Sequence, residues 1–160
     1  MKKTLLLIFI ILMLFSCSNS DDGIDCSLYD PAFPALYVRI VDETGTNLIE
    51  NGTIDPDYIS VEGDFLNAGF RFVPPNEFAN PDAEIRELDN SLNLTIPHSS
   101  TFQYTIHLNE MDPIKVDFTA ELKRIACHLS YFLPIEAIFN NQSLVIKEIA
   151  PLQVLAIITL

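Results

Sequence analysis

Ile114-Lys115-Val116-Asp117-Phe118-Thr119-Ala120-Glu121-Leu122-Lys123 is the stretch on which the fold is decided. Every second residue is apolar, so Ile114, Val116, Phe118, Ala120 and Leu122 share one face of an extended chain. Lys115, Asp117, Thr119, Glu121 and Lys123 share the other. A helix would scatter the same apolar set around its circumference, whereas a strand gathers it on one side. The stretch is a half-buried strand.

The same period recurs on both sides of it. Phe102, Tyr104, Ile106 and Leu108 alternate with Gln103, Thr105, His107 and Asn109, and Leu92, Leu94 and Ile96 alternate with Asn93 and Thr95. Further strands are expected over 36–42, 58–62, 69–73, 135–139 and 143–149. Turn-forming residues separate them at Glu43–Thr46, Val73–Asn76, His98–Ser100, Met111–Pro113 and Asn140–Asn141. The polar stretch 76–90 reads as a long loop with one helical turn at 83–88. The final run, Leu152–Leu160, is apolar on both faces. It suits a central strand covered on both sides, or an edge waiting for a partner. The sum is an all-β chain, a single antiparallel β-sandwich of about eight or nine strands.

The N-terminus reads differently. Lys2 and Lys3 precede an uninterrupted apolar run, Leu5 to Phe15. That run is too short to cross a bilayer core, which takes about 20 residues, and it suits a secretory signal. It ends in Leu14-Phe15-Ser16-Cys17, which resembles the lipobox of bacterial lipoproteins, although Phe15 is bulkier than the usual occupant. The resemblance implies a diacylglyceryl group on the Cys17 thiol, cleavage between Ser16 and Cys17, and a further acyl chain such as palmitate on the new amino group. Two or three acyl chains together hold a soluble domain on a membrane. An ordinary signal peptide or a retained anchor would be the plainer readings. Residues 17–25 then form the lipidated cysteine and an acidic flexible tether, and 26–160 the domain. The acidic residues Asp21 and Asp22 just after the cysteine are similar to the export stretch of surface-exposed lipoproteins of the Bacteroidota. This similarity implies an outer-membrane lipoprotein facing the cell exterior, with the periplasmic face as the alternative.

Two cysteines remain, Cys26 and Cys127. In an exported chain an even remainder suggests a disulfide closing about a hundred residues; two separate thiols are the alternative. The hairpin region 36–49, with Asp42, Gly45 and Leu48 around its turn, resembles the opening of small immunoglobulin-like or transthyretin-like sandwiches. The resemblance implies an architecture and no activity.

Twenty-two acids oppose nine lysines and arginines. With no basic stripe after Lys3, nucleic acid is an unfavourable partner, and membrane association is left to the anchor. His98, His107 and His128 lack the spacing of a metal site. Asp55, Asp57, Glu62 and Asp64 form the densest acidic set but not a calcium-loop pattern. No Gly-x-Ser-x-Gly elbow or glycine-rich phosphate loop occurs. The expectation is a non-catalytic envelope module without a cofactor, binding a protein or glycan through its rim loops 76–90 and 55–64. The aromatics Tyr29, Phe33 and Tyr58 are read first as packing residues and only second as contacts. A structural subunit that exchanges a strand, and a small hydrolase, are the rival expectations.

Overall fold

The structure, a computed structural model, describes residues 23–109 and 111–160. The signal segment, Ser16 and Cys17 lie outside the described residues. The chain divides into two compact units. In the smaller one, residues 23–30 come together with 125–129 around the Cys26–Cys127 disulfide, whose Cα atoms are 5.4 Å apart. The larger, residues 31–124 and 130–160, carries every strand found among the described residues.

Among the described residues, ten strands build two five-stranded sheets, one more strand than the upper expectation. In chain order they are β1 (Ala35–Val41), β2 (Ile59–Gly63), β3 (Phe70–Val73), β4 (Ser91–Leu94), β5 (Thr101–Leu108), β6 (Ile114–Arg124), β7 (Ser130–Phe139), β8 (Gln142–Ser143), β9 (Val145–Ala150) and β10 (Gln153–Thr159). The first sheet runs β3-β4-β1-β10-β9 and the second β2-β5-β6-β7-β8. The two inner faces share one core, in which Val38, Leu92 and Ala156 of the first sheet meet Tyr104, Val116 and Phe118 of the second. This is a sandwich.

Three features depart from the expected outline. The first is a parallel pair: Ala35 to Val41 of β1 runs beside Gln153 to Thr159 of β10, so the first sheet is mixed rather than purely antiparallel. A parallel pair needs a long connection, and here nearly the whole domain supplies it. The second concerns the segment 143–149, which is two strands rather than one. Asn140 and Asn141 both have positive φ and form the two-residue turn of the β7–β8 hairpin. The chain then leaves the second sheet after Ser143 and enters the first at Val145. The third is β7, which begins at Ser130 rather than near Ile135. Its Pro134 pairs with Ala120 at a register shift, and Ile135 and Glu136 both face out there. A proline has no N–H for the ladder, and a bulge is one of the few places in a sheet that tolerates it.

β10 is paired on both sides, by β1 and β9. Its two apolar faces are explained by two separate cores. Val154, Ala156 and Ile158 face the sandwich interior. Leu155 belongs to a second cluster with Tyr37, Ile149 and Leu88. Leu88 ends a short 3₁₀ turn, Glu84–Leu88, inside the long connection 74–90. The connection therefore serves as a lid on the outer face of the first sheet, and its helical turn falls where the sequence placed one.

Candidate functional site

A recess opens between three segments of the larger unit, with a volume of about 210 Å³. One wall is Phe33-Pro34, just before β1. The prolines at 31 and 34 fix their own φ and hold the neighbouring backbone extended. The second wall is Ile96-Pro97-His98, in the turn between β4 and β5. That turn is pinned below by Tyr104, whose buried phenol donates to the Thr95 carbonyl at 2.5 Å, while the Thr95 amide donates to the Gly69 carbonyl at 3.1 Å. Burial pushes the Tyr104 phenol up to about 12, which keeps it a neutral donor at physiological pH. The third wall is Ser130-Tyr131-Phe132, the first residues of β7.

Rings dominate the lining. Phe33 meets Tyr131 edge to face, with centroids 6.4 Å apart at 76°. His98 meets Phe132 in the same way, at 4.8 Å and 85°. Edge-to-face contact is a preferred aromatic geometry, so the rings brace one another. Phe33 remains 56% exposed, so part of its ring is open to solvent on the rim of the recess. Among the described residues, none forms a hydrogen bond with the His98 imidazole, the Ser130 hydroxyl or the Tyr131 phenol. A second recess, near 400 Å³, lies at the other end of β7 against Phe139 and the Met111–Ile114 turn. Its polar groups, Asp112 and Asn140, sit in turns rather than among rings.

The remaining residues singled out in the sequence fall elsewhere. His107, near the end of β5, has its Nε2 4.0 Å from Glu62 Oε2 on β2. His128 lies in the 125–129 segment beside Cys127. Asp55 accepts from the Asp57 amide at 3.0 Å, and Asp64 accepts from the Gln103 amide at 2.9 Å. Asp55 thus caps a local turn, whereas Asp64 ties the end of β2 to β5. Among the described residues, no three of His, Cys, Asp and Glu come within metal-holding reach of one another. Asp25 and Asp42 are held below the usual carboxylate range, chiefly by hydroxyl donation from Ser27 and Thr44. Both are turn acids. Tyr29 is half-buried and Tyr58 exposed, and neither lines the recess. No helix among the described residues is long and apolar enough to cross a membrane.

The chain matches no known protein family, curated protein or solved structure. The chemistry of the site therefore has to be argued from its atoms. Three aromatic rings, two prolines and the polar side chains of His98, Ser130 and Tyr131 can stack a ligand and hydrogen-bond its rim. Of the residues involved, only Phe33 is offered by the sequence as a contact, and there as a second choice after packing. Tyr131 and Phe132 went unnoticed because Pro134 masked the start of their strand, and His98 was read as a turn residue only.

Proposed function

We propose that this protein is a non-catalytic binding module of the bacterial envelope, anchored to the outer membrane by lipid on Cys17 and presenting the Phe33–Tyr131–His98 recess to its ligand. The observation that carries the binding role is that recess: exposed rings braced edge to face beside unengaged donors and acceptors. The address is carried by the run from Lys2 to Cys17, and the Cys26–Cys127 disulfide supports it, since such bonds persist outside the reducing cytosol. The surface-facing orientation rests on the acidic residues that follow Cys17, with the periplasmic face as the alternative. The strong negative charge favours a neutral or cationic ligand over nucleic acid.

Two measurements test this reading. Cells fed a clickable fatty acid should label the wild-type chain and not Cys17→Ala, and only the wild type should partition into detergent; a Cys17→Ala chain that still carries label overturns the anchor. Surface biotinylation of intact cells should reach the domain, and labelling only after the outer membrane is opened reverses the orientation.

A further inference from the structure

We infer that the recess takes a single neutral sugar ring, free or at the end of a glycan. The inference rests on the recess being the binding site proposed above, and adds the chemical class of its ligand. A pyranose has an apolar face made of C–H groups and a rim of hydroxyls. The recess combines the two kinds of surface: the rings of Phe33 and Tyr131 for C–H contact, and the polar side chains of His98, Ser130 and Tyr131 in the same lining. All three polar groups can both donate and accept, as a hydroxyl rim requires, when the imidazole is neutral.

Charge and size narrow the choice. The lining contains no lysine, arginine, aspartate or glutamate, while the chain as a whole carries a formal charge of −13. An anionic ligand would meet a repulsive field with no cation to receive it. A proline-rich peptide needs an extended groove, about 3.1 Å for each residue, and this is one compact recess of about 210 Å³. A lipid chain would bury the imidazole and two hydroxyls without partners, which is unfavourable. A neutral ring satisfies all three constraints. The walls are also fixed in advance, by Pro34, Pro97 and the Tyr104–Thr95 hydrogen bond, so little ordering is required on binding.

The test is a titration of the purified full mature chain followed by NMR of its aromatic and imidazole C–H groups. The probes are neutral hexoses and N-acetylhexosamines, the corresponding uronic acids, and a proline-rich peptide. The expected result is saturable shifts confined to Phe33, His98, Tyr131 and Phe132 with a neutral sugar. The dissociation constant should be about 1 mM, the scale reached by a ligand of about a dozen heavy atoms. Phe33→Ala, on an exposed ring whose loss leaves the core intact, should weaken binding at least tenfold. Tyr131→Phe, which removes one hydroxyl, should weaken it several-fold, and Phe78→Ala should leave it unchanged. Shifts at the same rings with the peptide or uronic acids, and none with neutral sugars, would overturn the ligand class while leaving the recess as the binding site. Silence of these rings toward every probe overturns both. Equal binding by the Phe33→Ala protein and its parent would place any sugar contact elsewhere.

Discussion

Asn47 shows how much of this fold is held by one polar side chain. It is 1% exposed, and its amide is fully engaged. Oδ1 accepts from the Ile49 and Glu50 amides at 2.9 and 3.2 Å, and Nδ2 donates to the Asn90 and Asp89 carbonyls at 3.0 and 3.4 Å. Two distant loops are thus tied by a single group. Asn47→Ala leaves several buried backbone groups unpaired, and its unfolding midpoint in urea should fall by the equivalent of about 3 kcal/mol. Asn47→Asp keeps the acceptor but turns a charged oxygen toward carbonyls, so it should be destabilised at neutral pH and partly recover in acid, where it can donate again. Tyr104 gives the corresponding result in alkali. Its folded pKa is pushed up to about 12 from 10.0, mainly by burial. Its contribution is complete below pH 10 and lost as pH rises towards 12. Tyr104→Phe should be less stable at neutral pH and show a shallower alkaline decline, both read from denaturant midpoints across pH. Neither role was legible in the sequence. Asn47 lies one residue beyond a turn that was recognised, but nothing local says that its amide will be enclosed by residues 42 and 43 positions downstream.

The strands that were legible are those whose pattern survives contact with a single core. β5 and the first seven residues of β6 bury every second side chain, as the alternation required. Leu122 is an exception at the end of β6, 42% exposed where its period placed it inside. The element that the sequence left open was Leu152–Leu160. Its double-sided hydrophobicity reflects a lid from residues 74–90, and a lid supplied by a polar loop has no periodicity to announce it. Leu88 is the one fully apolar tooth of that lid, 4% exposed against Leu155 at 0%. Leu88→Ala should cost about 2–4 kcal/mol and speed hydrogen exchange through 76–90, whereas Leu155→Ala should cost a similar amount without freeing the loop as fully. Because the two side chains share one cluster, the double variant should lose less than the sum of the single ones. Phe78, in the same loop and 99% exposed, is the control: its alanine variant should stay within about 0.5 kcal/mol of the parent.

At the scale of the whole chain, two features bear on stability from opposite directions. The excess of acids pushes the folded molecule apart, while the Cys26–Cys127 bond restrains the unfolded one. The bond spans a sequence separation of 101, and in the chain-entropy account a loop of that size contributes up to about 4.7 kcal/mol. Its location sharpens the expectation. The cysteines close the small 23–30 and 125–129 unit, which owns none of the ten strands, so the bond can be removed without altering a ladder or the shared core. Cys26→Ser with Cys127→Ser should therefore keep the β-sheet circular dichroism of the parent. It should unfold at clearly lower urea concentration, with a steeper slope because the released chain exposes more surface when unfolded. A variant with the lower midpoint but an unchanged slope would assign the loss to the folded state instead. The charge offers an independent control, since added salt should raise the midpoint of parent and variant alike by screening the acids. If the gap between the two proteins closes as salt is added, the disulfide is opposing electrostatic repulsion in the folded molecule; a gap that stays constant leaves the restraint of the unfolded chain as its role.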